Sequence, residues 1–142
     1  MGYIFAIIAG ACMSIQGVMN TRLSEKTGLF LSNTYVQGTA FLLSLIVLLF
    51  AKDTNFKGFS DVNKFYLFGG AFGIAITLTV MLSVKGTSPA IAVSTILVSQ
   101  LICAAIIDAF GIMGTEKLSF GWNKYLGAAI MIAGVLLFKM RS

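Results

Sequence analysis

Residues 88–111 read SPAIAVSTILVSQLICAAIIDAFG, and the fold class turns on this stretch. From Pro89 to Ile107 it contains no charged residue, and its one acid, Asp108, stands about a turn before Gly111. A bilayer core about 30 Å thick takes about 20 apolar residues in helical form, because lipid offers no partner for an unpaired backbone group. Ser88 suits the cap of such a helix, and Pro89, the only proline in the chain, suits its first position. The stretch predicts a transmembrane helix over 89–111.

The same length rule, applied outward on both sides, predicts further helices at about 3–21, 33–51, 65–84 and 122–138. Between them lie the polar turn RLSEKTG at 22–28, the loop KDTNFKGFSDVN at 52–63, the short turn KGTSP at 85–89, and a loop over 112–121 with Glu116 and Lys117. Asn33 is expected to cap the second helix, and Lys139 and Arg141 to close the last. Tyr3, Tyr35, Phe65, Tyr66, Trp122 and Tyr125 fall near helix starts, where amphipathic rings sit at headgroup level. The first apolar run lacks a positively charged leader region and is expected to remain as a span. The reading is an all-α integral membrane protein of about five helices in one membrane domain, 1–142.

Composition agrees. Of 142 residues, 58% are hydrophobic and 11% charged, and the mean hydropathy is +0.94, far from a soluble domain. The formal charge of +5 does not imply nucleic acid, because the Lys and Arg residues stand singly at the ends of apolar runs. Cys12 and Cys103 both lie inside apolar runs and read as small packing residues. With no His and few acids, a zinc site, a His-based triad and a paired-carboxylate hydrolase all lack their parts. No catalytic residue, metal or cofactor is expected, and no nucleophile stands beside a base for an intramembrane enzyme.

Helices in lipid associate through close van der Waals approach of small residues. Such residues recur here at helical spacing: Gly10, Ser14, Gly17 and Thr21 in the first span, Gly69, Gly73 and Thr77 in the third, and Gly127 and Gly134 in the fifth. These predict contact faces, to helices of the same chain or of a second copy. Five spans would place Lys52, Lys57, Lys64, Lys117 and Lys124 on one side of the membrane, and Arg22, Lys26, Lys85, Lys139 and Arg141 on the other. Balance of that kind leaves the positive-inside rule nothing to act on, so the chain is expected to insert both ways. Two opposed copies then reproduce the inverted repeat that larger transporters carry in one chain.

Polar groups inside lipid are costly, and each needs a partner or a function. Gln16 and Asn20 are four apart on the first helix, Gln37 is near the start of the second, and Gln100 lies about 16 Å along the fourth from Pro89. Ser94, Thr95 and Ser99 add hydroxyls nearby. Gln100, Gln16, Asn20, Gln37 and Ser99 are the candidate substrate ligands, with interhelical glue as the alternative role for such amides. Asp108 reads either as a proton or cation site or as an interfacial acid bonded to loop amides or a Lys.

Four segments, AGACMSIQGVMN at 9–20, GGAFGIA at 69–75, SQLICAAIIDAFGIMG at 99–114 and LGAAIMIAGVLL at 126–137, together give a resemblance. Over nearly its whole length the chain resembles the short YdcZ-like branch of the drug/metabolite transporter superfamily, a group of inner-membrane proteins. By that resemblance Gln16 and Asn20 correspond to a first-helix amide pair, and Gln100, Asp108 and Gly111 to a Q-L to I-D-x-F-G signature. Ala109 and Ile112 stand where such proteins often carry His and Trp, and the first span lacks the Glu of the superfamily's multidrug members. The resemblance implies half-transporters that pair with a second copy or a close homologue. The expected function is secondary transport of a small polar metabolite by an antiparallel, dual-topology homodimer with alternating access in the inner (plasma) membrane. The competing expectation is a non-transporting membrane subunit or scaffold.

Overall fold

A computed structural model describes residues 1–52, 54–116 and 121–140, with only the backbone described at Lys124 and Lys139. Among these residues the elements are all helical: α1 (Gly2–Thr27), α2 (Leu29–Phe50), the short α3 (Gly58–Asp61), a 3-10 turn (Lys64–Phe68), α4 (Gly69–Gly86), α5 (Pro89–Phe110), a 3-10 turn (Ile112–Gly114) and α6 (Trp122–Met140). Four stretches are long and apolar enough to cross a membrane: Gly2–Thr27, Leu29–Phe50, Lys64–Gly86 and Pro89–Phe110. A shorter fifth apolar run, Tyr125–Phe138, forms most of α6. The chain is thus an all-α membrane protein of about five helices. Lys117, Arg141 and Ser142, and with them part of the predicted charge balance, lie outside the described residues.

The helices divide into two compact units, Met1–Gly86 and Thr87–Ser142. In the first, α1, α2 and α4 all pack on one another. The α1–α2 connection differs from expectation: the polar stretch RLSEKTG is not a loop but the last turns of α1. Its side chains are satisfied without leaving the helix. Thr21 Oγ1 donates to the Gly17 carbonyl at 2.7 Å, Ser24 Oγ to the Thr21 carbonyl at 2.7 Å, and Arg22 pairs with Glu25 at 3.1 Å. The helix stops only at Gly28, whose φ of 87° suits glycine and few other residues. Gly28 alone links the two helices, and its carbonyl accepts the Ser32 N–H at 3.1 Å.

It follows that Asn33 does not cap α2. It lies in the second turn, 7% exposed, and Gly28 holds the cap position with no side chain to offer. The elongation also brings Glu25 into the first helix, although its pairing with Arg22 on the exposed last turn occupies the carboxylate. The loop before the third span contains the single turn of α3, and Asn63 caps the 3-10 turn by accepting the Phe65 N–H at 3.0 Å.

The second unit is an antiparallel hairpin of α5 and α6. Ser88 Oγ accepts the Ile91 N–H at 3.3 Å with Pro89 in the first turn, as the sequence predicts. The far end of α5 is closed by Gly111, in the left-handed region at φ 62°, whose N–H bonds to the Ile107 carbonyl. Met113 follows at φ 61°, a conformation uncommon for a residue with a side chain.

Most large apolar side chains of both units face outward: Phe41, Leu49 and Phe50 of α2 are exposed, as are Phe5 and Ile7 of α1. Faces this extensive are incompatible with water as the surroundings and are natural against lipid tails or a second copy.

Candidate functional site

The buried centre of the first unit is polar. Asn20, Thr21 and Ser24 on α1 and Ser32 and Asn33 on α2 are all buried, closed off by Met81 and Val84 of α4. Ser32 is fully enclosed and donates to the Asn20 carbonyl at 3.3 Å and lies 3.7 Å from the Met81 sulfur. This places the tightest packing where the last turns of α1 meet the first turns of α2 and the end of α4. Small hydroxyl and amide side chains let the backbones approach there, and intrahelical bonds satisfy most of their polar atoms.

One atom is not satisfied: Asn33 Oδ1 is buried with no hydrogen-bond partner among the described residues. An orphaned acceptor costs about 1–3 kcal/mol, whereas an apolar group of similar shape carries no such cost. Asn33→Leu is therefore expected to leave the melting temperature of the detergent-solubilised protein unchanged or raised. A lower melting temperature would show that a donor such as a bound water or a partner group reaches Oδ1.

The candidate ligands fall in different surroundings. Gln16 and Asn20, four residues apart, do not act as a pair here, since Gln16 is exposed and Asn20 is 8% exposed in the core. Gln37 is half-buried between α2 and α4. Its Nε2 donates to Thr77 Oγ1 at 3.3 Å, and Thr77 Oγ1 donates to the Gly73 carbonyl at 2.8 Å. Gly73 makes room for this contact, because a Cβ there would sit 3.6 Å from Gln37 Nε2. Gln37 thus bridges two helices of its own unit with its amide nitrogen.

In the second unit Ser99 and Gln100 are exposed on α5. Ser99 lines a cleft of about 290 Å³ with Thr95 and Cys103 of α5 and Ile132 and Leu136 of α6. Ser94 and Thr95 return their hydroxyls to the Ala90 and Ile91 carbonyls at 2.7 and 2.8 Å. Asp108 is half-buried and lines a larger groove of about 670 Å³ between α5 and α6. Its carboxylate makes no hydrogen bond or ion pair with another described residue, so the expected loop amides do not reach it among those residues. Among the described residues no group of three His, Cys, Asp or Glu could hold a metal ion.

The glycine stripes also separate. A Cβ at Gly17 would lie 3.1 Å from Val80 Cγ1, so this glycine seats α1 against α4. At Gly10, Gly69, Gly127 and Gly134 a Cβ would meet nothing within 4 Å, which leaves those positions open to lipid or to another chain.

The residues missed by sequence reasoning are Ser32, Thr21, Ser24 and Asn33. Their signal was present in the cluster of small polar residues at 20–33, but the length rule assigned those residues to a turn.

No curated protein and no solved structure matches the chain. The model of a family described as "Putative inner membrane exporter, YdcZ" matches residues 1–137. A match from the first residue to within a few residues of the last takes in every helix above, with the amides of α1 and the Gln100 to Gly111 segment of α5. With helices of the right length and the outward apolar faces of a bilayer protein, the chain belongs to the YdcZ family of drug/metabolite-type exporters and is a multi-pass protein of the inner membrane.

Proposed function

We propose that the chain is half of a secondary transporter, two copies of which insert in opposite orientations and form an antiparallel homodimer that exports a small polar metabolite by alternating access. The observation that carries this reading is the charge distribution. With five spans, Lys and Arg divide five and five between the two sides, so neither orientation is favoured. Opposed copies supply the inverted repeat on which alternating access depends in larger transporters. Open glycines at Gly10, Gly69, Gly127 and Gly134 give a second copy places to approach closely.

Substrate contact is assigned to exposed amides and hydroxyls, with Gln100 and Ser99 on α5 and Gln16 on α1 foremost. Asn20 and Gln37 are committed in part to packing, and their contribution is correspondingly smaller. Amide and hydroxyl groups pair with neutral or zwitterionic solutes, and no described group here would serve as a metal or covalent centre. Export is the direction named in the family's description.

Proteoliposomes that contain only this chain test the reading. Substrate-dependent flux, with candidates first chosen by a ligand-induced melting shift across metabolites, is the expected result. Binding without flux would make the chain a non-transporting subunit. In the same system Gln100→Ala is expected to weaken apparent substrate affinity about fivefold, the loss of one neutral hydrogen bond of about 1 kcal/mol, with the melting temperature unchanged. A fall in melting temperature at unchanged affinity would make Gln100 interhelical glue.

A further inference from the structure

The groove between α5 and α6 exists because both walls are built from small residues, Ala105 and Ala109 on one helix and Gly127 and Ala128 on the other. Its length along α5, from Leu101 to Phe110, is about 14 Å at the helical rise. Its volume of about 670 Å³ is in the range of sites that hold a drug-sized molecule. Nearly all of the lining is apolar, and the one charged group is the Asp108 carboxylate, without an ion-pair partner among the described residues. Tyr125 and Phe110 line the groove beside it.

The combination selects a class of ligand. An anion is repelled by the carboxylate. A bare metal cation needs about six oxygen ligands, or keeps its water, and an apolar wall with one carboxylate offers neither. A neutral polar solute would leave the carboxylate unpaired against the apolar wall. A positively charged organic molecule answers both halves of the site: its charge pairs with Asp108 and can face the Tyr125 or Phe110 ring, while its apolar body covers the small-residue wall. We propose that the α5–α6 groove is a binding site for an organic cation with an apolar body, anchored by Asp108. The assignment uses residues of one hairpin only and does not depend on the antiparallel half-transporter reading.

Equilibrium binding of tetraphenylphosphonium to the full chain, purified in an uncharged maltoside detergent, tests the assignment, with tetraphenylborate as a probe of the same shape and opposite charge. Saturable binding of the cation and none of the anion is expected. Asp108→Asn keeps the shape of the groove and is expected to weaken cation binding about tenfold or more, the loss of a charge-assisted contact. Gly127→Leu is expected to abolish binding by filling the groove, and it should fold normally because a Cβ at Gly127 meets nothing within 4 Å. That second variant decides the question should Asp108→Asn fail to fold. Equal binding of cation and anion, or wild-type affinity in Gly127→Leu or in a folded Asp108→Asn, would overturn the proposal. Displacement of the probe by stoichiometric phosphatidylethanolamine would also overturn it, by assigning the groove to a lipid headgroup. A negative result here leaves flux and topology measurements untouched, so failure of this site is distinguishable from failure of the transporter reading.

Discussion

A variant with two or three added Lys residues in the loops beside Lys52 and Lys57 inserts in one orientation only and loses transport. A variant with the same number added beside Arg22 and Lys85 inserts the other way and is equally inactive. Expressed together, the two recover activity. The expectation follows from a starting balance of five basic residues against five, in which a few added charges decide the orientation. Each biased variant can form only parallel pairs, and a parallel pair has no inverted repeat. Flux measured in vesicles from the single and double expression strains checks it, and the expected effect is all or none. Two inactive variants that stay inactive together would argue against an antiparallel assembly. Full activity in either variant alone would do the same.

The second large effect concerns packing within one chain. Gly17→Leu is expected to destabilise the first unit, because the new Cβ would already lie 3.1 Å from Val80 Cγ1 and the rest of the side chain has to displace α4. Overpacking of this kind costs about 1–3 kcal/mol, more than the gain of about 0.5–1 kcal/mol from removing a glycine inside a helix. Gly10→Leu, on the same helix with nothing within 4 Å of its Cβ, keeps that gain and should melt no lower than the wild type. If the Gly10 face meets a second copy, this variant instead loses the dimer in crosslinking. Thermal unfolding of the two variants side by side separates contacts inside the chain from contacts between chains, and equal melting temperatures would refute the α1–α4 assignment at Gly17.

The contrast between these two glycines shows what can be read from the sequence and what cannot. Span number, the start at Ser88 and Pro89 and the end at Gly111 were legible, because each rests on a local rule: the thickness of the bilayer, a cap, or a left-handed residue. The end of α1 was not. The bilayer rule gives where a helix must be apolar, and helices continue past that point while their polar side chains remain satisfied, as Thr21, Ser24 and the Arg22–Glu25 pair are. Asn33 was misread for the same reason, as a cap for a helix that in fact begins at Leu29.

The direction in which a side chain points was also hidden. In water an apolar stripe marks the inward face of a helix, but lipid-facing and packed positions are both apolar here, so the period carries no information about burial. Gln16 and Asn20 share a spacing and differ in environment, and Gly10 and Gly17 share a stripe while only one meets a neighbour in the chain. The Asp108 groove was legible only as a lone acid. Its width depends on Gly127 and Ala128, residues of another helix that the sequence does not place beside it.

The central claim is that one chain occupies both orientations, and labelling of a single cysteine tests it most directly. Thr54, exposed in the loop after α2, is changed to Cys after the native thiols are removed as Cys12→Ser and Cys103→Ser. Intact cells are treated with a membrane-impermeant maleimide, before and after permeabilisation of the inner membrane. Balanced topology predicts that about half of the protein is labelled from outside and the remainder only after permeabilisation. Labelling that is complete from one side, or absent until the membrane is opened, would contradict the dual-topology account.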